Sequence, residues 1–165
     1  MDSFVPFSAR IYSFTVFRKD LDELGHCSFN KVKLLIEQAF HRFAKDNKFG
    51  RTSLRLNDKL GLFVTEDAYR YKRELGLHDI VTVVIRSSPK GRCSIRFFFN
   101  LVRVVSGSLA TLDHVGSAEW TMVMMGLESR KPVAIPTAIA ERLKEHNRIQ
   151  DLLNRTYAAR GPTAM

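Results

Sequence analysis

Cysteine is scarce in this sequence: Cys27 and Cys93 stand alone among 165 residues. They form no metal-type spacing, so two free thiols in a reducing compartment are expected. Long apolar runs are missing as well. No stretch approaches the roughly 18 consecutive apolar residues of a membrane span. Asp2 and Arg10 interrupt the first seventeen residues, which therefore do not pattern as a signal peptide. A cytoplasmic protein without membrane contact is expected. Negative charge is in deficit: 17 Asp and Glu face 26 Lys and Arg, a net charge of +9. Such a balance suits an anionic partner, whether nucleic acid, membrane surface or phosphorylated ligand, and it also suits a surface that is merely basic. Nucleic acid is disfavoured, because the basic residues are spread along the chain and no aromatic–basic repeat accompanies them. Neither an internal repeat nor a linker divides the chain, and its length suits one domain.

What is present is a strongly periodic order of elements. Residues 9–18 alternate Tyr12, Phe14 and Val16 against Ser13 and Thr15, a strand pattern. Val32, Leu35, Ile36, Ala39, Phe40 and Phe43 then fall at i, i+3, i+4, i+7, i+8 and i+11. That stripe predicts an amphipathic helix from about residue 30 to 45–48, with Ser28 or Asn30 as cap and Gly50 beyond its end. Residues 51–59 read as a connection or short helical turn. Further strands are expected over 62–72, 80–87, 92–105 and 109–125. Turn signals lie at Ser88-Pro89-Lys90-Gly91 and Ser106-Gly107-Ser108, and Gly116 marks a bulge or bend. A helix follows over 137–146, then a basic amphipathic helix or loose tail over 148–160. A helix cannot bury six large apolar residues by itself. A curved antiparallel sheet of about five strands wrapped around it would do so, which is α+β architecture.

One stretch carries chemistry. Asp20-Leu21-Asp22-Glu23-Leu24-Gly25-His26 lies between the first strand and the long helix. Asp22 therefore precedes the free N–H groups of a helix start, where the dipole favours negative charge. Such a site can hold a carbonyl oxygen as it becomes an oxyanion, with a carboxylate beside it to attack or to activate water. The plainer role for Asp22 is that of a turn residue before a helix. Asp20 reads as a turn residue or a partner orienting the loop. Asp20, Asp22 and Glu23 lack the calcium-loop pattern and a neighbouring His pair, so no metal and no cofactor is expected.

The strand, the Asp-x-Asp-x-x-Gly-His turn and the helix with Glu37 near its middle resemble the hotdog-fold thioesterases of the 4-hydroxybenzoyl-CoA thioesterase type. The resemblance runs more loosely to about Leu143, through strand lengths and Ile135-Pro136. After the His, where the family often has Val-Asn-Asn, this chain has Cys27-Ser28-Phe29. The resemblance implies a hotdog fold over 1–147, with 148–165 as a basic helix or tail, and a homodimer or homotetramer. It implies hydrolysis of an acyl thioester of coenzyme A or of acyl carrier protein. Asp22 would then be nucleophile or general base, His26 a substrate or turn contact, and the backbone N–H of Phe29 the donor to the thioester carbonyl. Glu37 would match the family's helical Glu, and Lys90 and Arg92 its phosphate-binding hairpin. Phe29, Val32, Tyr69 and Phe97 would line the acyl group at a subunit interface. The competing expectation is a non-enzymatic module of the same fold that binds acyl groups or an anionic partner.

Overall fold

The computed structural model describes residues 12–104 and 112–159. Strand β1 (Tyr12–Thr15) leads through a short 3-10 turn at Arg18–Asp20 into helix α1 (Phe29–Asp46). A brief helical segment follows, α2 (Arg51–Ser53) running into a π-turn (Leu54–Asp58). Four long strands come next: β2 (Leu60–Tyr71), β3 (Ile80–Pro89), β4 (Ser94–Val104) and β5 (Leu112–Gly126). Helix α3 (Thr137–Ala159) closes the chain. All five strands form one antiparallel sheet in the order β1-β3-β4-β5-β2. The sheet curls around α1, the hotdog arrangement that the helical stripe requires.

The helix buries the side it must. Val32, Ile36, Ala39, Phe40 and Phe43 are all buried, and Leu35 is half-buried at the edge of the stripe. Phe40 stands edge-on to Phe97 and Trp120 of the sheet, at 5.0 and 5.5 Å between ring centres. These contacts join the inward faces of β4 and β5 to the helix, where Ile95, Phe99, Leu101, Ala118 and Met122 are also buried. Outward positions on the same strands carry Arg96, Asn100, Glu119 and Ser117, as period-2 alternation demands. Gly116 does sit at an irregularity: the β4–β5 register steps from Leu101↔Gly116 to Val102↔His114, leaving Val115 as the extra residue. A side chain at Gly116 would meet the Arg70 carbonyl oxygen at 2.6 Å, so only glycine fits.

Several boundaries differ from the sequence pattern. β1 stops at Thr15, because Val16 turns its backbone to the loop before β3, donating to Asp79 and accepting from His78 at 2.9 and 2.8 Å. β3 runs two residues further, through Pro89, so Ser88 and Pro89 are strand and the turn is Lys90 to Cys93. Proline is tolerated there because the outer edge of β3 bears no strand at that point. The expected turn at 106–108, and residues 9–11, 105 and 109–111 of the expected strands, fall outside the described residues. The helical pattern at 137–146 and that at 148–160 form one continuous helix to Ala159, since no glycine or proline interrupts them. Among the described residues, no helix is long and apolar enough to cross a membrane.

The two edges of the sheet are finished differently. β1 pairs only with Ile80 to Val83 of β3. The rest of that edge is covered by α3: the Asn147 side chain accepts from the Ser87 N–H (3.2 Å) and donates to the Ser87 carbonyl (2.6 Å). His146 Nε2 lies 3.0 Å from the Ile85 carbonyl oxygen, and Arg86 pairs with Asp151 at 2.6 Å. The helix thus supplies hydrogen bonds that a neighbouring strand would otherwise make. On the other side, β2 pairs with β5 alone among the described strands.

Candidate active site

The acidic turn folds around one carboxylate. Asp22 Oδ1 accepts from the backbone N–H of Leu24 (2.9 Å) and of His26 (3.1 Å). The Asp22 N–H donates to the His26 carbonyl, and Gly25 N–H to the Asp22 carbonyl. Gly25 has φ +80, left-handed backbone that glycine adopts without strain. Asp22 Oδ2 has no protein partner among the described residues. Asp20 is spent on structure: its Oδ2 accepts from the Phe17 N–H at 3.0 Å, and its Oδ1 lies 3.7 Å from Lys31 Nζ.

The turn delivers the chain to the start of α1. Ser28 is the N-cap, as expected, but its hydroxyl makes no capping hydrogen bond. Its carbonyl takes the N–H groups of Lys31 and Val32. The N–H groups of Phe29 and Asn30 have no intrahelical acceptor, and the helix dipole adds to their pull on negative charge. Asp22, His26 and Phe29 line one cavity of about 780 Å³ at this end of the sheet.

Residues 72–75, at the start of the loop that runs to Asp79, form the other wall, and the sequence pattern gave no hint of their part. Leu75 accepts the Cys27 N–H at 2.7 Å, and Glu74 Oε2 lies 3.2 Å from His26 Nε2. Arg103 ties this loop to the sheet. Its guanidinium donates to Asp79 Oδ2 (2.7 Å), the Glu74 carbonyl (3.2 Å) and Asp113 Oδ2 (2.7 Å). Arg73 holds the other Asp113 oxygen at 2.8 Å. These partners are far apart in sequence and share no spacing motif.

The neighbouring groups hold their protons. Burial, with Tyr69 and Cys27 adding, pushes the Tyr71 phenol up to about 12. Burial and then the Asp20 carboxylate raise the Cys27 thiol. Cys27 is therefore a thiol and not a ready nucleophile at neutral pH. Among the described residues no three or more His, Cys, Asp or Glu side chains converge as metal ligands.

The other candidate residues lie elsewhere in the chain. Glu37 lines a second cavity of about 780 Å³ beside the C-terminal half of α1, with its Oε1 3.5 Å from His41 Nε2. Phe97 is fully buried beneath Phe40 and lines neither cavity, whereas Tyr69 lines the second. Lys90 and Arg92 sit at the β3–β4 turn. Residues 95 to 103 of β4 separate that turn from Arg103, roughly 26 Å at ~3.3 Å per residue. Lys90 Nζ pairs with Glu66 Oε2 at 2.8 Å and donates to Thr121 Oγ1 at 3.2 Å. The Lys90 ammonium and the Thr121 hydroxyl hold Glu66 below the usual carboxylate range. One chain therefore unites Asp22, His26 and Phe29 and leaves Lys90 and Arg92 at the far end of the sheet.

A family model described as thioesterase-like superfamily matches residues 16–143, a span that takes in the acidic turn, α1 and strands β2 to β5. The chain belongs to the thioesterase-like superfamily. Solved structures agree on the fold. The Staphylococcus aureus protein SAV2348, solved in complex with CoA, superposes with a TM-score of 0.71 at 18% identity, covering 84% of this chain and 85% of that one. BH1999, a gentisyl-coenzyme A thioesterase, gives 0.66 at 18% identity, covering 81% and 99%. Slr0204 from Synechocystis, a 1,4-dihydroxy-2-naphthoyl-CoA thioesterase, gives 0.66 at 16% identity, covering 81% and 93%. No functionally curated protein matches the sequence. Membership of the superfamily makes thioester hydrolysis the chemistry against which the Asp22 cavity is to be read.

Proposed function

We propose that this protein hydrolyses acyl thioesters, with coenzyme A or acyl carrier protein as the thiol. The observation that carries the reading is the division of labour within Asp22. One oxygen holds the turn, and the other is left free in a cavity that also contains the start of α1. The thioester carbonyl oxygen lies toward the Phe29 N–H, which stabilises the oxyanion as it forms. Asp22 either attacks the carbonyl carbon itself or takes a proton from a water that attacks it. By the first route the C–S bond breaks as Asp22 forms a mixed anhydride, which water then hydrolyses to the acid and the free carboxylate; by the second, the oxygen of water replaces the sulfur directly. In both, the departing thiolate takes up a proton. His26, held against Glu74, is placed to contact substrate or to brace the turn.

The active assembly is a dimer or tetramer joined through β2. Antiparallel pairing of two β2 edges about a two-fold axis sets the partner's β3–β4 turn at the end of the joined sheet that carries Asp22. Lys90 and Arg92 would then serve coenzyme A phosphates across the interface, and Glu37, which lines the second cavity, would face any acyl group that reaches it. The double hydrogen bond to Asp22 Oδ1 also fits the alternative, a binding module in which Asp22 only shapes the loop. A panel of acyl-CoA substrates read by free-thiol release separates the two. Turnover abolished by Asp22→Asn supports the hydrolase, and no thiol release from any substrate overturns it.

A further inference from the structure

The groove between α1 and β2 holds two cavities in line, each of about 780 Å³, one beside Asp22 and one further along the helix. The second is floored by buried apolar side chains, among them Phe40, Phe49, Trp120 and Met122. Four side chains stand between them. Phe29 and Tyr71 line the first cavity, Lys33 and Tyr69 the second. The Phe29 ring is edge-on to Tyr71 at 5.0 Å and to Tyr69 at 6.0 Å. Lys33 Nζ lies over the rings of Phe29 and Tyr69, at 4.4 and 4.5 Å, and pins the one against the other. Tyr69 is fixed in turn by the Trp120 indole N–H at 3.0 Å from its oxygen.

Resting on the hydrolase reading above, we infer that the Phe29 side chain is a partition that sets the length of the acyl group. The Asp22 cavity must hold both the acyl group and the thiol arm that leads to it, so little depth remains for the acyl chain. Among the described residues the apolar room for a longer chain is the second cavity, and Phe29 blocks the passage to it. The wall is made by a side chain alone. Phe29 is 49% exposed, so its ring is not part of the core, and truncating it leaves the backbone N–H at the helix start in place. The structure therefore assigns this protein short or single-ring acyl groups.

The test compares butanoyl-CoA with dodecanoyl-CoA in wild type and in Phe29→Ala. The ratio of kcat/KM for the long over the short substrate should rise at least about tenfold in the variant, the scale on which apolar pockets discriminate. Because each ratio is taken within one protein, it does not depend on how much of the sample is folded. Phe29→Leu replaces the variant if the alanine form fails to fold, with a rise in the same direction. A ratio within threefold of wild type overturns the inference while leaving the hydrolase reading intact. If wild type releases no thiol from any substrate, that reading falls by itself. Dodecanoate binding measured by calorimetry then decides the partition without turnover: at least about tenfold tighter binding to Phe29→Ala supports it, and equal affinity overturns it.

Discussion

On the proposed hydrolase reading Asp22 does two jobs with one side chain, and a single substitution can pull them apart. Asparagine keeps an oxygen to accept from Leu24 and His26 but carries no charge. Asp22→Asn should thus keep the turn and lower turnover by roughly 10²–10⁴, the range for losing a general acid–base group. Asp20→Asn should cost far less, because that carboxylate braces Phe17 and Lys31 outside the cavity. Kinetics read beside thermal unfolding check the pair, and a fully active Asp22→Asn would remove Asp22 from the mechanism. His146 gives a second residue-scale expectation. Burial, with Arg86 adding, lowers its pKa from the ordinary value, while the bond to the Ile85 carbonyl opposes the shift. The folded ring stays neutral at a pH where the unfolded chain would take up a proton. Its contribution to stability is complete above the ordinary value of about 6.5 and is lost as pH falls from there toward the folded pKa. The melting temperature of wild type should therefore drop more between pH 7 and pH 5.5 than that of His146→Gln. Parallel profiles would show that His146 is not the group responsible.

Among the elements, α1 and the edge cover supplied by α3 carry opposite lessons. Phe43 is fully buried on α1 against Tyr12, Phe49, Phe97 and His146. Phe43→Ala should cost about 3–5 kcal/mol in urea unfolding. Asn147→Ala leaves the Ser87 N–H and carbonyl without partners and should cost about 1–3 kcal/mol. Asn147→Asp should cost more, since it sets a carboxylate oxygen against the Ser87 carbonyl that the amide now serves; equal costs would deny the bidentate contact. The burial of α1 was legible in advance because a 3.6-residue stripe is itself a statement about a face. The strands of the meander were legible for the same reason, at period 2. The part of α3 was not: nothing about Asn147 in the sequence points to Ser87, sixty residues earlier. The loop of residues 72–79 escaped likewise. Glu74 and Leu75 reach the acidic turn only because Arg103 gathers Asp79 and Asp113. The acidic turn was visible as a motif, but the allocation of Asp22 Oδ1 to the backbone appears only once the turn is closed.

At the scale of the whole molecule, a β2 edge that no other described strand pairs makes an assembly of 18.9 kDa chains the expectation. Sedimentation at micromolar concentration should give a dimer or larger species, and a monomer there would count against pairing through β2. The finishing of the opposite edge says where such growth ends. In the language of polymer chemistry, a sheet with two open edges is a bifunctional monomer, able to add units at both ends without limit. Among the described residues, Asn147 and His146 cap the stretch of β3 that β1 leaves bare, which lowers the functionality of that side. Units blunted on one side favour pairs over chains. Stripping the cap with Asn147→Asp should therefore shift the association from pairs toward longer species.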